Sequence, residues 1–377
     1  MILYLTHNDQ PSGVYWSQVT DAVAYLNTLG GPRVRLVALV SGRAYFSIRR
    51  KIRQHCPQAL VLPMVPGVRR WRMNRMVVHA VCRLLRPSGI LARGAMATWM
   101  ALRARDKGLV RHVCFDARGA YAAEWEEYRL IDDDALIAQV RPVEAEALER
   151  SDLRLAVSQA LVDHWRQQYG YAGNAHVVVP CTLGEAHLTG PTAAGSERDR
   201  LGFAPDDVVL AYAGSASGWQ SFDLLDRLLR PLLAAQPRVK VLLLCPPDPR
   251  ISALIRDFPA RVVTDWVASA AVPAVLRSCD AALLLREDSI TNRVASPTKF
   301  AEYLACGLPV VISAHIGDFS ALVVANGLGI AHAEGEALPV LERPAPAERA
   351  RLRAFALERF TKPTHAAAYR QLLAKLA

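Results

Sequence analysis

Two charged residues and a helix-start signal occur together in the stretch from Ser296 to Val311, "SPTKFAEYLACGLPVV". Ser296 is a favourable N-cap residue and Pro297 suits the first helical position, so a helix is predicted to begin there. Thr298 and Lys299 then fall in its first turn. Free N–H groups and the positive end of the helix dipole favour a phosphate group at such a start, and the lysine adds a full positive charge.

Glu302 lies three residues after Lys299 and four after Thr298, so it shares their face of the helix. A carboxylate behind a phosphate site can accept two hydrogen bonds from a ribose diol, as acids do in dinucleotide-binding folds. A purely structural alternative stays open. Ser296 and Pro297 would then only cap the helix, and Lys299 would pair with Glu302 on a hydrated surface.

Strand and helix patterns alternate twice along the 377-residue chain, which predicts two doubly wound α/β domains. The first domain is predicted at 1–185 and the second at 198–361, with a Gly-, Thr- and Ser-rich linker near residues 182 to 200. The terminal helix, about 362–377, is predicted to pack back on the first domain. Parallel sheets of this kind place ligands at the carboxyl ends of their strands.

The composition, 52% hydrophobic and 21% charged, is typical of a globular protein. The sequence contains no run of eighteen apolar residues, so no membrane-spanning segment is predicted. The first residues, "MILYLTHNDQPSG", lack the features of a secretory signal, and a cytoplasmic location is therefore expected. The seven cysteines are scattered without CxxC spacing. This pattern argues against a zinc site or a disulfide framework.

Positive charge is concentrated between Arg33 and Arg111, where eighteen Lys or Arg residues accompany the single acid Asp106. Within that region "RAYFSIRRKIRQH" and "VRRWRMNRMVVHAVCRLLR" interleave arginines with apolar residues such as Phe46 and Met76. An anionic membrane surface is the predicted partner of such segments. Nucleic acid is disfavoured because no helix-turn-helix, RNA-binding signature or zinc finger accompanies the charge. A merely solvated basic face is the remaining alternative.

The opening stretch resembles the donor-site segment of retaining GT-B glycosyltransferases, particularly glycosyltransferase family 4. "YAGSASGWQSFDLL" resembles the first strand and turn of that family's donor domain, and "RVVTDWV" resembles its base-binding loop. "ILARGAMATWMAL" and "FDARGAYAAEW" resemble strand ends of its acceptor domain. The resemblance implies a GT-B fold, with two Rossmann-like doubly wound domains facing across a crevice. It further implies a nucleoside-diphosphate sugar as co-substrate, retention of configuration, and no metal or other cofactor.

The resemblance implies a donor site formed by Gly13, Gly214, Ser215, Trp266, Val267, Ser296, Pro297, Thr298, Lys299 and Glu302. Glu302 would hold the ribose, and the backbone near Thr298 would meet the diphosphate. Gly13, Gly214 and Ser215 would let the backbone approach the donor, although each also fits an ordinary turn. Trp266 and Val267 lie where the family holds the base, with a core position as the alternative for the tryptophan.

The sequence departs from the family pattern at two places. Val294 stands where the family often has a sugar-contacting Glu, and Glu287 or Asp288, at the end of the preceding predicted strand, would be a substitute. The family's Arg and Lys pair after the first donor-domain strand is also missing. Developing charge on the leaving diphosphate would then be stabilised by Arg286, Lys299 and Arg293.

Acceptor contacts are predicted at Arg93, Asp116, Arg118 and Glu124, which follow strands of the first domain. Asp116 would accept a hydrogen bond from an acceptor hydroxyl, and Arg93 or Arg118 would meet an anionic group. Alternatively, Asp116 and Arg118 pair with each other and fix the loop. The residues predicted to act in catalysis are Asp116, Arg286 and Lys299. The run from Asp132 to Asp134 precedes a helix, which favours helix-start acids over metal ligands.

These features together predict transfer of a sugar to a glycan acceptor in polysaccharide or surface-glycan biosynthesis. The acceptor is expected to be a polyprenyl-diphosphate-linked saccharide, met at the inner face of the cytoplasmic membrane. A nucleotide-sugar epimerase on a similar scaffold is one alternative. A catalytically inactive nucleotide-sugar-binding partner protein is another, favoured by Val294 and by the missing cations.

Overall fold

The computed structural model describes residues 1–188, 195–214 and 221–377. The chain forms two compact units, and the first (unit 1) comprises residues 1–184 with 362–377. The second (unit 2) comprises residues 185–361. Each unit contains one parallel sheet with helices, so the predicted fold class of two Rossmann-like α/β domains is confirmed.

Seven strands within the described part of unit 1 form a sheet in the order β3-β2-β1-β4-β5-β6-β7, and every neighbouring pair is parallel. They are β1 (Ile2–His7), β2 (Val34–Val40), β3 (Leu60–Pro63), β4 (Gly89–Arg93), β5 (His112–Ala117), β6 (Leu153–Ala156) and β7 (His176–Val178). All six residues of β1 are buried. Burial on both faces explains why the central strands read as continuous apolar runs.

The helices of unit 1 that precede β7 are α1 (Gly13–Tyr15), α2 (Asp21–Leu26), α3 (Tyr45–His55), α4 (Arg75–Leu85), α5 (Ala95–Asp106), α6 (Tyr121–Tyr128), α7 (Asp134–Arg150) and α8 (Gln159–Tyr169). A π-helical turn, Trp16–Thr20, joins α1 to α2. The Asp133 side chain accepts a hydrogen bond from the Leu136 N–H at 3.1 Å and caps α7. The aspartate run therefore starts a helix, as predicted.

Unit 2 has a six-stranded parallel sheet within its described residues, in the order β10-β9-β8-β11-β12-β13. Its strands are β8 (Val208–Ala213), β9 (Val239–Leu244), β10 (Val262–Asp265), β11 (Ala281–Leu284), β12 (Val310–Ser313) and β13 (Gly329–His332). Its helices are α9 (Glu185–Leu188), α10 (Gly195–Arg200), α11 (Phe222–Ala235), α12 (Pro249–Asp257), α13 (Val272–Arg277), α14 (Ile290–Arg293), α15 (Thr298–Ala305), α16 (Phe319–Asn326) and α17 (Pro346–Arg359).

The last helix, α18 (Ala366–Leu376), belongs to unit 1. Its residues Tyr369, Leu372 and Leu376 are buried in the core that β1 and β2 also form. The Ser88 hydroxyl donates to the Leu376 carbonyl at 2.9 Å. A Cβ at Gly89 would lie 2.5 Å from that same carbonyl oxygen, so only glycine allows this close approach. The terminal helix thus completes the core of unit 1.

None of the helices in the described ranges is long and apolar enough to cross a membrane.

Candidate functional site

Each sheet reverses its strand order once, between β1 and β4 in unit 1 and between β8 and β11 in unit 2. Ligands of open α/β sheets bind beyond the carboxyl ends of the strands at such a switch point. Arg93 ends β4 and Asp116 lies near the end of the adjacent β5. Gly214 follows β8, and Arg286 lies two residues beyond β11. The topology therefore brings the predicted residues of each unit to one edge of its sheet.

The start of α15 corrects the predicted helix boundary. Pro297 occupies the cap position with φ −65° and ψ 125°, and its side chain makes no capping bond. The helix begins at Thr298, so the predictions that Ser296 is the N-cap and Pro297 the first helical residue are wrong. The reason is that the proline φ also fits an extended conformation, while a residue before proline avoids the helical region.

The first backbone groups of α15 remain suited to an anion. The earliest intrahelical bond runs from the Phe300 N–H to the Pro297 carbonyl at 3.1 Å, so the N–H groups of Thr298 and Lys299 precede it. The loop after β12 approaches the segment before the helix closely. Gly317 has φ +43°, and a Cβ there would lie 2.0 Å from the Ala295 carbonyl oxygen. Glycine at this position therefore permits the local backbone arrangement around the helix start.

Tyr303 fixes α15 against the last residue of β8, Ala213. Its hydroxyl accepts from the Ala213 N–H at 2.9 Å and donates to the Ala213 carbonyl at 3.3 Å. The side chain is fully buried, and burial raises its pKa well above the ordinary value. Gly214, next along the chain, donates its N–H to the Leu244 carbonyl at 3.2 Å. Ser215, the other residue predicted in this turn, lies outside the described residues.

Lys299 and Glu302 form an ion pair, with 2.8 Å between Nζ and Oε2. The lysine side chain is 29% exposed, whereas that of Glu302 is only 13% exposed, so the pair does not lie on a fully hydrated surface. Burial alone would raise the pKa of Glu302, but the charge of Lys299 and the hydrogen bond from its ammonium group outweigh that effect and lower it. Glu302 is therefore an ionised hydrogen-bond acceptor at neutral pH.

Arg286 is buried beyond the end of β11. Its backbone N–H donates to the Ser313 hydroxyl at 2.9 Å, and its guanidinium donates to the Asn292 side-chain oxygen at 3.2 Å. The backbone carbonyl of Arg286 is 2.9 Å from Nε2 of His315, which follows β12. These contacts hold the arginine at the switch-point edge of the sheet.

Glu287, Asp288 and Arg293 were predicted to replace residues that the family pattern has and this sequence lacks. β11 ends at Leu284, so the prediction that Glu287 and Asp288 end that strand is wrong, and both residues lie in the loop that follows it. Asp288 pairs with Arg293 through two contacts of 2.6 and 2.7 Å on the surface. Each of these two charges therefore neutralises the other. Val294 is 3% exposed and belongs to the core.

The two predicted base-contacting residues follow β10. Trp266 is 68% exposed, so its alternative placement in the core is wrong. Its backbone N–H donates to the Asp265 carboxylate at 2.8 Å. Val267 is half-buried beside it. An exposed indole at the carboxyl end of a strand offers a flat surface for stacking.

In unit 1, Asp116 is fully buried and both of its carboxylate oxygens are engaged. The Tyr4 hydroxyl donates to one oxygen at 2.6 Å, and the Arg118 guanidinium donates to the other at 3.3 Å. The structure thus shows the Asp116–Arg118 pairing that the sequence left open as an alternative. An enclosed carboxylate favours a positioning role over direct contact with an acceptor hydroxyl.

Arg93 connects this aspartate to the loop after β1. Its guanidinium lies 3.5 Å from Asp9 and 3.7 Å from Asp116, and the side chain is 10% exposed. Burial opposes its charge, but the neighbouring acids and Tyr4 outweigh burial and raise the pKa of Arg93. Burial raises the pKa of Asp9. Arg93 is consequently a fixed, permanently charged group at the switch point of unit 1.

Gly13 and Glu124, the remaining predicted residues, lie at helix starts. Gly13 is exposed and is the first residue of α1. Glu124 is half-buried in the first turn of α6. The start of α6 is held by Glu144, whose carboxylate accepts from the N–H groups of Tyr121 and Ala122, each at 2.9 Å.

Four structurally important residues were missed by sequence reasoning: Tyr4, Glu144, Asn292 and Tyr303. Each is buried and connects a predicted site residue or its helix to another element. Tyr4 carried a usable signal, because a polar hydroxyl within an apolar strand usually requires a partner. No group of three or more His, Cys, Asp or Glu side chains within the described ranges is arranged to hold a metal ion.

Solved structures resemble the chain over almost its full length. Anabaena HepE in complex with UDP and glucose has a TM-score of 0.67 at 17% identity, covering 99% of this chain and 98% of that one. Sucrose-phosphate synthase from Thermosynechococcus elongatus has a TM-score of 0.71 at 16% identity, covering 100% and 98%. WaaG, a glycosyltransferase involved in lipopolysaccharide biosynthesis, has a TM-score of 0.59 at 12% identity, covering 100% and 95%. The chain has the GT-B fold.

At these identities the likeness concerns the GT-B fold alone. No protein-family model matches the sequence, and no curated protein matches it significantly.

Proposed function

We propose that the protein is a glycosyltransferase that moves a sugar from a nucleoside-diphosphate sugar to a glycan acceptor. The observation that carries the proposal is the Lys299–Glu302 pair on the first turns of α15, beside the switch point of unit 2. The GT-B fold supports it, since HepE was solved with UDP and glucose and WaaG is a glycosyltransferase.

Donor recognition follows from the chemistry of α15. The N–H groups of Thr298 and Lys299, together with the lysine ammonium, would bind the diphosphate. Glu302 would accept hydrogen bonds from the ribose hydroxyls, because its carboxylate is ionised. Trp266 would stack on the base, and Val267 would contact its edge.

In the transfer step the bond between the sugar and the diphosphate breaks, and negative charge develops on the leaving oxygen. Lys299 and Arg286 would stabilise that charge, and Asn292 keeps the arginine in position. Because these cations can neutralise the leaving group, the proposed reaction requires no metal. Retention would follow from attack on the same face of the sugar that the diphosphate leaves, with a leaving-group oxygen taking the acceptor proton.

Acceptor recognition is assigned to the switch point of unit 1. Arg93 and Arg118 would meet an anionic group such as the diphosphate of a polyprenyl-linked saccharide. Asp116 would act by holding both guanidinium groups. Glu124 on α6 would contact a sugar hydroxyl.

A membrane-associated acceptor agrees with the surface of α3. Ile48 and Ile52 face the core, while Phe46 is 80% exposed and lies on the outer face with Arg50 and Arg53. Basic residues beside an exposed aromatic ring suit an anionic leaflet, and each such cation contributes about 1 kcal/mol near the surface. We therefore propose peripheral attachment at the inner face of the cytoplasmic membrane.

The activity is tested by measuring hydrolysis of UDP-, GDP- and ADP-sugars by the wild type and by Lys299→Ala. The wild type is expected to release free sugar slowly from one donor, and Lys299→Ala to lower the rate about 100-fold or more. The control is Glu334→Ala, which removes an exposed acid of the same unit and should leave the rate unchanged.

Two other outcomes would contradict the proposal. Interconversion of free nucleotide-sugars without release of sugar would indicate an epimerase. Tight donor binding with neither hydrolysis of the donor nor transfer of its sugar to a saccharide acceptor would indicate an inactive binding partner.

Membrane attachment is tested by co-sedimentation with phosphatidylcholine vesicles that contain or lack phosphatidylglycerol. Binding should require the anionic lipid, weaken in salt, and fall in Phe46→Ser. Val340→Ser is the matched control, because it removes an apolar side chain of unit 2 that is 78% exposed. Binding that depends on neither the lipid charge nor the salt concentration would contradict the proposed membrane attachment.

A further inference from the structure

His187 is a buried imidazole on α9 that the donor site described above does not use. It is 7% exposed, and its Nε2 atom is buried with no hydrogen-bond partner among the described residues. Buried polar atoms in folded proteins are nearly always satisfied. An exception of this kind is expected where another state of the protein, such as a ligand-bound state, supplies the missing bond.

The surroundings of α9 place His187 beside the donor helix. α9 packs on α15, and the carbonyls of His187 and Leu188 accept from the Arg353 guanidinium at 3.5 and 3.3 Å. The same guanidinium donates to the carbonyl of Ala305, the last residue of α15. Arg353 therefore fixes the backbone of α9 relative to the helix that carries Glu302.

Among the charged groups that the described residues place near His187, only one can accept a hydrogen bond. Its charged neighbours are Glu302 and Lys299 on α15, Arg277 on α13 and Arg353 on α17. Burial lowers the pKa of His187, so the imidazole is neutral at pH 7 and carries one N–H. Three of the four neighbours are cations, which cannot accept that hydrogen. Glu302 is the remaining acceptor.

We propose that His187 is a positioning residue of the donor site. With nucleotide bound, its Nε2–H donates to the Glu302 carboxylate while Lys299 holds Oε2, so that the carboxylate is oriented toward the ribose diol. His187 thereby sets how strongly the site distinguishes a ribonucleotide from its 2′-deoxy form. Since this role presupposes the proposed nucleotide site, its test must separate the failure of one from the failure of the other.

Isothermal titration of the full chain with UDP, GDP and ADP, followed by the 2′-deoxy form of the nucleotide that binds best, provides that separation. The wild type should prefer the ribonucleotide. His187→Leu should weaken ribonucleotide binding about tenfold, the effect of about one charged hydrogen bond, while affecting the deoxynucleotide much less. His187→Gln, which retains an N–H donor, should restore most of the preference.

Two variants complete the design. His187→Phe fills the buried volume without a hydrogen-bonding nitrogen, and it serves as the test if His187→Leu does not fold. His55→Leu makes the same chemical change at an exposed histidine of unit 1 and should change neither affinity.

If His187→Leu weakens the binding of both nucleotides by the same factor, or of neither, the positioning role is overturned. The loss of a merely structural histidine would lower both affinities together. If the wild type binds none of the three nucleotides, the proposed function is overturned, and this inference with it.

Discussion

The carboxyl ends of the two sheets are built differently. In unit 1 the charged side chains at the switch point are engaged with one another: Asp116 is 0% exposed and is held by Tyr4 and Arg118. In unit 2 the corresponding edge carries Lys299, which is 29% exposed, and Trp266, which is 68% exposed. In unit 1 these charged side chains bond to one another in a fixed internal network. In unit 2, charged and aromatic side chains are exposed to solvent.

Equivalent positions in the two sheets therefore have different roles, although the sheets share a topology. A carboxylate at the end of β5 serves mainly to orient neighbouring arginines. A carboxylate on α15 remains partly accessible and is kept ionised by a lysine. Substitutions in unit 1 should therefore affect folding first, and those at α15 should affect ligand binding first.

The largest expected effect is on the stability of unit 1. Asp116→Ala leaves Arg93 and Arg118 buried without their shared carboxylate, which should lower the free energy of unfolding by about 3 to 5 kcal/mol. Urea denaturation followed by circular dichroism measures this change. Asp163→Ala removes an exposed acid of the same unit as the control, and an effect of Asp116→Ala as small as the control's would contradict the network.

The next effect concerns pH. Burial lowers the pKa of the His7 imidazole, at the end of β1, to about 4. The unfolded chain therefore binds a proton near pH 6.5 that the folded chain takes up only near its lower pKa. The stabilisation due to the neutral histidine is complete above pH 6.5 and is lost as the pH falls toward 4, by about 2 to 3 kcal/mol at pH 4.5.

Denaturation at pH 7.5 and pH 4.5 tests this expectation when the wild type is compared with His7→Gln. The variant should lose less stability on acidification, because it has no group to protonate at that position. Equal losses in the two proteins would show that His7 does not contribute to the pH dependence.

A smaller effect is expected from Tyr303→Phe in unit 2. The change removes the hydroxyl that joins α15 to Ala213 and leaves that backbone N–H buried without its partner, at a cost of about 1 to 3 kcal/mol. Because α15 then loses its attachment to the end of β8, nucleotide affinity should also fall. Thermal melting and nucleotide titration of the same samples measure both. If Tyr303→Phe lowers stability but leaves nucleotide affinity unchanged, then Tyr303 does not contribute to the donor site.

The smallest effect is expected at the surface pair of Asp288 and Arg293. Both side chains are at least half exposed, so Arg293→Ala should change the free energy of unfolding by less than about 1 kcal/mol. Hydrolysis of the donor should also remain within a few-fold of the wild type. If Arg293→Ala lowers the rate of hydrolysis as much as Lys299→Ala does, then Arg293 does stabilise the leaving diphosphate.

Much of the fold could be predicted from the sequence because local patterns specify it. Alternating apolar strands and amphipathic helices predicted both sheets, and Asp133 before α7 was recognised as a helix-start acid. The start of α15 was misplaced by one residue because the φ of Pro297 is compatible with two conformations. That difference depends on the packing of the preceding segment, which no local pattern reports.

The site could be predicted less completely, because its decisive contacts join distant parts of the chain. The bond between Tyr4 and Asp116 spans 112 positions. The sequence indicates that the Tyr4 hydroxyl needs a partner, but it does not indicate that Asp116 is that partner. The exposure of Trp266 and the burial of Val294 depend likewise on tertiary packing. Residue types identified the candidate groups, and only the fold showed which of them are accessible.

The central claim is that α15 of unit 2 binds a nucleoside diphosphate through Lys299 and Glu302. Isothermal titration of UDP, GDP and ADP into the wild type and Glu302→Ala tests it most directly. Saturable binding of at least one nucleotide is predicted, with an affinity about tenfold or more weaker in the variant because the ribose loses its ionised acceptor. Binding of equal strength in the two proteins, or no binding of any nucleotide to the wild type, would contradict the claim.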